Sequence, residues 1–153
     1  MDDVALAILR RHEGKRNDVY RDHLGYWTIG YGHLISRDKT MTEEEAREAV
    51  QGPWTDVQCE HMLGVDYFER CRALRNLEPW VDELPEWPQR GLFNMAFQMG
   101  VAGVQGFPRM LAALKKRDWP AARVQALSSK WAQEQTPQRA REVATMIGNE
   151  AIA

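Results

Sequence analysis

Every convincing β-type signal in this chain of 153 residues lies in one short stretch near the N-terminus. Val19 and Tyr20 begin it, and residues 26–29 are again aromatic or β-branched. The turn-forming residues 22–25 separate these two segments, a pattern that predicts a β-hairpin. Helical patterns dominate the rest of the chain. The sequence therefore predicts a mainly helical α+β fold with one small antiparallel sheet.

Helix signals lie on both sides of the predicted hairpin. Asp2 or Asp3 can cap a first helix. Gly14 favours an end at about Glu13, because glycine is the usual residue just beyond a helix. On the other side, Thr42 opens a capping-box pattern with a glutamate three residues later, which predicts the start of a second helix.

A long helix is predicted to begin at Thr55 or Asp56 and to link a β-containing lobe to a helical lobe. The most apolar segment, residues 89–99, is predicted to be a central core helix, followed by a glycine-rich loop over residues 100–106. The buried candidates of the long helix are Val57, Met62, Leu63, Tyr67, Phe68, Cys71 and Leu74. Further helical segments are predicted over residues 107–116, 119–127, 129–133 and 137–147, the last with Thr136 as its N-cap.

Length and composition favour one soluble domain. A chain of 153 residues fits a single domain, which we expect to have two lobes, about residues 14–55 and about residues 76–153 together with the first helix. No segment approaches the ~20 apolar residues of a membrane span, so membrane insertion is not expected. The N-terminus carries acids where a signal peptide carries bases. Cys59 and Cys71 are too far apart on one predicted helix for a disulfide, which is consistent with a reducing cytosol.

Charge is distributed unevenly along the chain. The net charge is −2, yet residues 101–141 contain eight bases and two acids, a balance of +6 that leaves −8 for the remainder. Such a region fits an anionic polymer or a solvated helical surface equally well. No nucleic-acid-binding motif is present, so nucleic acid is not an expected partner. The four histidines lack zinc-site spacing, and neither a metal nor another cofactor is expected.

Two carboxylates and a hydroxyl near the N-terminus form a candidate site for hydrolysis of a glycosidic bond. Glu13 ends a helix, where the negative end of the helix dipole disfavours the charged form, so it is the better candidate acid. Asp22 lies in a polar turn and could activate a water that Thr28 holds. Taken singly, Glu13 also fits a surface acid, Asp22 an ordinary Asx-turn and Thr28 a good strand former.

The spacing of these residues resembles the phage lysozyme (endolysin) family, in particular the lysozymes of the T-even bacteriophages. Eight residues separate Glu13 from Asp22, and five separate Asp22 from Thr28. The resemblance covers about residues 6–149. Further matching segments follow in the same order at residues 29–33, 94–100, 106–107 and 130–140.

This resemblance implies a lysozyme-like fold and a muramidase that cleaves the β-1,4 bond between N-acetylmuramic acid and N-acetylglucosamine in peptidoglycan. Glu13 matches the family's general acid, Asp22 its second catalytic carboxylate, and Thr28 the threonine that positions the attacking water. Inversion of the anomeric centre is implied as well. The two carboxyl groups are then expected ~6.5–9.5 Å apart, because a water must fit between Asp22 and the sugar.

The resemblance also implies three supporting residues. Arg139 matches an arginine that pairs with the catalytic glutamate. His33 matches a histidine that forms a structural ion pair with Asp66 on the long helix, which we favour over a catalytic role for His33.

A substrate groove between the two lobes is implied too. The positions that line it or lie close to it are Leu34, Phe97, Gln98 and Trp131. The chain departs from the family at two groove positions. Met110 stands in place of a serine and loses a hydroxyl, whereas Gln125 stands in place of an asparagine and keeps a substrate-binding amide.

The main hypothesis is a muramidase of phage or prophage origin that acts on peptidoglycan glycan strands to lyse the host. It would be made in the host cytoplasm, be released with the help of a holin and then act on the wall from the periplasm; nothing in the sequence requires more than a monomer. A lytic transglycosylase is one alternative, although it would not need the water site of Asp22 and Thr28. A non-catalytic peptidoglycan-binding module is another, although it would not need all three catalytic positions filled.

Overall fold

A three-stranded antiparallel sheet and seven α-helices occupy the described part of the chain, residues 2–152, in the computed structural model. This arrangement confirms the predicted α+β fold. The elements follow one another as α1 (Asp3–Glu13), β1 (Arg16–Arg21), β2 (Trp27–Gly30), β3 (His33–Ser36), α2 (Glu43–Ala49), α3 (Asp56–Leu77), a 3-10 helix (Pro79–Glu83), α4 (Glu86–Gln105), α5 (Pro108–Lys115), α6 (Trp119–Leu127), a π-helix (Trp131–Gln135) and α7 (Pro137–Ile147).

The chain divides between Tyr67 and Phe68 into two compact units. The first contains α1, the sheet and α2, and the second contains α4 to α7. The lobe limits predicted from the sequence stay a prediction.

The sheet of the first unit has the order β1-β2-β3, with β2 in the centre and buried along its whole length. β1 and β2 form the predicted hairpin, in which Tyr20 pairs with Thr28. The third strand, in which Leu34 pairs with Thr28, is an addition to the prediction. Its four residues are all half-buried, so they show no alternation, and only Ile35 among them has a strong strand preference.

The predicted helix caps of the first unit are confirmed. The Asp2 carboxylate accepts the N–H of Ala5 at 3.1 Å at the start of α1. Gly14 ends α1 with a positive φ of 69°, and its N–H donates to the carbonyl of Arg10. The hydroxyl of Thr42 accepts an N–H at 3.1 Å in the predicted capping box of α2. Both α1 and α2 therefore begin where the sequence places them.

The core of the first unit packs the sheet against residues of α2 and α3. Trp27 and Ile29 on β2 are buried, and half-buried side chains such as Met62 pack around them. The buried members of this cluster are Val19, Trp27, Ile29, Ala46, Trp54 and Cys59. This core supports the strand that carries Thr28.

The prediction of burial is wrong for two residues of α3. Val57 is 77% exposed and Phe68 is 58% exposed. The buried side chains of α3 lie on one stripe with a spacing of four or three residues, from Cys59 through Leu63 to Leu74, and Val57 and Phe68 lie off that stripe. Apolar character predicted burial here, whereas position on the helix decides it.

The second unit is built around α4, which packs against α7, while α5 packs against α6. A Cβ on Gly91 would lie 3.0 Å from the side chain of Ile147, so α4 and α7 approach closely at this point. The predicted loop over residues 100–106 is wrong, because α4 resumes beyond Gly100 and continues to Gln105. Gly100 alone leaves the helical conformation, with φ of 77°.

Candidate active site

Asp22 forms an Asx-turn between β1 and β2. Its Oδ1 accepts the backbone N–H groups of Leu24 and Tyr26, each at 2.9 Å. Among residues 2–152, no hydrogen bond reaches its Oδ2. The turn thus fixes the carboxylate through one oxygen and leaves the other able to accept a proton.

Thr28 lies on the central strand and is 4% exposed. Its hydroxyl donates to the carbonyl of Tyr26 at 3.0 Å. A hydroxyl has one proton to donate and two lone pairs to accept with. Since the proton is committed to Tyr26, Oγ1 can offer only an acceptor to a ligand.

The backbone of Tyr26 joins Asp22 to Thr28. Its N–H donates to the Asp22 carboxylate, and its carbonyl accepts both the N–H of Asp22 and the hydroxyl of Thr28. We call the segment that these bonds hold together, residues 22–28, the acceptor turn. It presents two hydrogen-bond acceptors whose positions depend on the same peptide groups.

Glu13 is the last residue of α1, and its carboxylate lies against Gly32 in the turn between β2 and β3. A Cβ on Gly32 would be 2.8 Å from Oε2 of Glu13. Gly32 also has a positive φ of 71°, which disfavours any other residue. The proposed acid therefore depends on a glycine two residues beyond β2.

Tyr20 is a further candidate that the sequence did not indicate. It is half-buried on β1 opposite Thr28, with the guanidinium of Arg16 4.6 Å from its ring centroid. Burial raises the pKa of its phenol, and the charges of Glu13 and Asp22 raise that pKa further. The phenol thus lies within the electrostatic influence of both proposed catalytic carboxylates.

His33 and Leu34 open β3 beside the acceptor turn. His33 Nδ1 lies 2.8 Å from Asp66 Oδ2, which is the contact that the resemblance implies. The ring of His33 also lies 5.5 Å from the ring of Trp54, centroid to centroid. These contacts tie β3 to α3 within the first unit, while the supporting role assigned to the pair stays a prediction.

In the second unit, Gln98 joins two predicted groove elements. Its Oε1 accepts the indole N–H of Trp131 at 2.9 Å, and its Nε2 donates to the Thr136 hydroxyl at 3.2 Å. Thr136 begins α7 as predicted but makes no side-chain cap bond. Phe97, the neighbour of Gln98, is 8% exposed.

Arg139 is anchored on α4 of the same unit. Its Nε donates to Oδ1 of the buried Asn94 at 3.1 Å. Asn94 is a positioning residue that the sequence did not indicate, because an asparagine inside an apolar helix has no signal for its partner. The predicted pairing of Arg139 with Glu13 stays a prediction.

Met110 and Gln125, the two departures from the family, line one cavity of about 310 Å³ in the second unit. Met110 is fully buried and Gln125 is half-buried. The structure thus brings together two positions that are fifteen residues apart in sequence.

Residues 2–152 contain no group of three or more His, Cys, Asp or Glu side chains arranged to hold a metal ion. In the same range, no helix has the length and apolar character needed to cross a bilayer.

Comparison with known proteins gives a consistent family assignment. The phage lysozyme family model matches residues 10–144. The pre-baseplate central spike protein Gp5 of Enterobacteria phage T4 is 37% identical over 92% of this chain, which spans 27% of that protein's length. Probable T4-type lysozymes 1 and 2 of Dictyostelium discoideum are 28% and 26% identical, each over 92% of this chain and 91% of their own length.

The family match includes the whole stretch that holds Glu13, Asp22 and Thr28. It also includes Gln98, Trp131 and Arg139 of the second unit. The chain belongs to the phage lysozyme family and is a lysozyme, a glycoside hydrolase that acts on peptidoglycan.

Proposed function

We propose that the chain cleaves the β-1,4 bond between N-acetylmuramic acid and N-acetylglucosamine with inversion of the anomeric centre. The observation that carries this proposal is the acceptor turn, in which the backbone of one residue, Tyr26, holds both Asp22 and Thr28. Glu13 belongs to a different element, so acid and base are held independently. This division suits a reaction in which a water attacks from the side opposite the proton donor.

The direction of hydrogen bonding at the acceptor turn determines how a water would be held. Both Asp22 and Thr28 offer acceptors only, so a water between them donates one O–H to each. Its lone pairs then point away from both groups and can attack the anomeric carbon. Asp22 takes the proton that the water loses, and the new C–O bond forms on the face away from the leaving group.

Glu13 acts on the other side of the scissile bond. As the general acid, it transfers its proton to the glycosidic oxygen while the bond to the anomeric carbon breaks. The charges of Glu13 and Asp22 both raise the pKa of the Tyr20 phenol, so this hydroxyl keeps its proton beside the reaction. Gly32 keeps the Glu13 carboxylate in place by leaving room that any side chain would fill.

Substitution of the three residues tests this mechanism. Release of reducing ends from purified walls should fall about 10²–10⁴-fold in Glu13→Gln and in Asp22→Asn, and less in Thr28→Val. Asp38→Asn is the matched control, because Asp38 also forms an Asx-turn in the first unit, accepting the N–H of Thr40 at 2.9 Å. If the Glu13→Gln and Asp22→Asn variants are as active as wild type, the proposed muramidase mechanism is contradicted.

The products separate this mechanism from its alternatives. A lytic transglycosylase forms anhydro-muramic acid and needs no water, so it would not depend on Thr28. A non-catalytic binding module would bind walls and release nothing. Mass spectrometry of the soluble fragments therefore distinguishes all three functions in one digestion.

We further infer that the activity serves lysis of a bacterial host, acting from the periplasm after release from the cytoplasm. Family membership supports this role, and a monomer with no cofactor would suffice for it. Expression in bacterial cells should leave them intact until a holin is supplied or the inner membrane is permeabilised, after which turbidity should fall. Lysis without permeabilisation would contradict the dependence on a holin.

A further inference from the structure

A second cavity of the second unit lies between the 3-10 helix and the end of α5. It includes none of the residues assigned to hydrolysis or to the predicted groove. Its wall consists of Trp80, Glu83, Leu84, Leu114, Lys115 and Arg117. The volume is about 150 Å³, half of the ~300 Å³ at which small-molecule sites begin. The cavity therefore suits one ring of a larger ligand.

One part of this wall is apolar. Leu84 and Leu114 are buried and form its aliphatic side. Trp80 is half-buried, so part of its indole is accessible, and its ring N–H is donated to the carboxylate of Glu78. An aromatic ring beside aliphatic side chains is suited to the C–H groups of a ligand ring.

The rim of the cavity has charges of both signs. The ammonium of Lys115 lies 5.3 Å from the centroid of the Trp80 ring, and Glu83 lines the same cavity. Both charged side chains belong to exposed residues. Within residues 2–152, neither of them makes a hydrogen bond or an ion pair. A donor and an acceptor are therefore both available to one ligand.

Arg117 joins the two elements that form the cavity. Its Nη2 donates to the backbone carbonyl of Glu83 at 2.8 Å. This bond ties the end of the 3-10 helix to the turn that follows α5. It thereby fixes Glu83 and Lys115 relative to each other, while the remaining guanidinium N–H groups stay available as donors.

The mixture of charges selects against ionic ligands. An anion would meet the like charge of Glu83, and a cation would meet those of Lys115 and Arg117. A neutral group that both donates and accepts, such as a hydroxyl or an acetamide, satisfies Glu83 and Lys115 together. Such bonds are strong because the protein partners are charged. The cavity is thus suited to a neutral, polyhydroxylated ring with an apolar face.

We propose that this cavity is a second glycan-binding site, which holds one N-acetylated sugar of a peptidoglycan strand while the catalytic site holds another part of the polymer. The inference rests on the proposed function for the identity of its ligand. It goes beyond that function because it assigns retention on the wall to residues that take no part in bond cleavage. Two sites on one polymer raise the apparent affinity without any new contact at the catalytic residues.

Binding can be measured without hydrolysis by pelleting the Glu13→Gln protein with purified walls. In this background, Lys115→Met and Glu83→Ala should each weaken binding roughly five- to tenfold, because each removes a hydrogen bond to a charged group. Lys116→Met is the matched control, since Lys116 is an exposed cation next to Lys115 that does not line the cavity. It should bind as tightly as the Glu13→Gln parent.

The sign of the Glu83→Ala effect separates a sugar site from general attraction between a basic surface and an anionic wall. Loss of an acid would strengthen purely electrostatic attraction, whereas loss of a hydrogen-bond acceptor weakens binding. Unchanged or tighter binding in Glu83→Ala overturns the inference. A loss in Lys116→Met equal to that in Lys115→Met overturns it as well.

Kinetics of the enzyme with Glu13 intact give a second readout. On intact walls, Lys115→Met should raise KM about fivefold and leave kcat unchanged, because only the second site is weakened. On short soluble fragments, which occupy one site at a time, both constants should match wild type. Equal changes on both substrates would overturn the inference. A wild type that releases no reducing ends, together with the expected pelleting losses, would instead show that the proposed hydrolysis fails and that the second site stands.

Discussion

The two units hold their candidate site residues in different ways. In the first, Asp22 and Thr28 are positioned by backbone groups at most four residues away. In the second, Gln98 and Trp131 are positioned by a side-chain bond that spans 33 residues of sequence, and Arg139 by one that spans 45. Local turns thus hold Asp22 and Thr28, whereas tertiary packing holds the predicted groove residues Gln98 and Trp131 and the predicted supporting residue Arg139. Changes in the first region should mainly alter rate, and changes in the second should mainly alter stability.

Among the substitutions that test this difference between the two units, Gly32→Ala should have the largest effect on activity. The new Cβ would be 2.8 Å from Oε2 of Glu13, so the proposed acid must move. We expect wall hydrolysis to fall about 10²-fold or more, because small displacements of a catalytic group are costly. The measurement is kcat/KM on purified walls, beside the free energy of unfolding.

Gly100→Ala is the matched control for Gly32→Ala. Gly100 has a similar positive φ of 77°, but among residues 2–152 a Cβ there would meet no heavy atom within 4 Å. Both variants should lose roughly 1–2 kcal/mol of stability from the positive φ, and only Gly32→Ala should lose most of its activity. Equal activities would show that the contact between Gly32 and Glu13 has no catalytic importance.

Gln98→Leu tests the second region and should have an intermediate effect. It leaves the indole N–H of the buried Trp131 and the hydroxyl of Thr136 without their partner. We expect a loss of about 1–3 kcal/mol in the free energy of unfolding, because an unsatisfied buried donor is costly. Gln105→Leu, at an exposed position near the end of the same helix, should change little in urea unfolding. Similar losses in both variants would exclude a structural role for the Gln98 bonds.

Removal of the ion pair between Glu60 and Arg10 should have the smallest effect on stability. It tests whether a side-chain pair within the first unit contributes to the free energy of unfolding. The two side chains are 41% and 38% exposed, with a separation of 2.9 Å. Hydrogen bonds from Arg10 lower the pKa of Glu60, and a bond from the Tyr31 hydroxyl lowers it further. Solvent screening limits the expected loss in Glu60→Gln to about 0.5 kcal/mol at neutral pH.

The sign of the pH dependence follows from the lowered pKa of Glu60. The stability it contributes is complete above the unfolded pKa and disappears as pH falls through the folded one. Unfolding curves of Glu60→Gln and wild type should therefore differ at pH 7 and converge once the pH has fallen through the lowered pKa of Glu60. A difference that grows on acidification would show that the pair does not act through the charge of Glu60.

Sequence reasoning succeeded where the determinants are local. Asp2, Gly14 and Thr42 mark helix ends because each acts on backbone groups within four residues. The turn residues at 22–25 predict the hairpin for the same reason. The Asx-turn considered as an alternative to a catalytic role for Asp22 is the conformation that the structure shows. This turn uses one carboxylate oxygen and leaves the other available to accept a proton.

Features that depend on distant partners were missed. β3 depends on pairing with β2, in which Leu34 lies opposite Thr28, and only Ile35 among its own residues has a strong strand preference. Tyr20 and Asn94 gained their candidate roles only through neighbours on other elements. The exposure of Val57 and Phe68 likewise depends on which stripe of α3 meets the core.

The most direct test of the acceptor turn is the anomeric form of the first product. Proton NMR of wild-type enzyme digesting soluble glycan strands can record the new reducing end before mutarotation. A water held by Asp22 and Thr28 on the face opposite the leaving group requires the α-anomer to appear first. Initial appearance of the β-anomer would show retention and would contradict the role proposed for both residues.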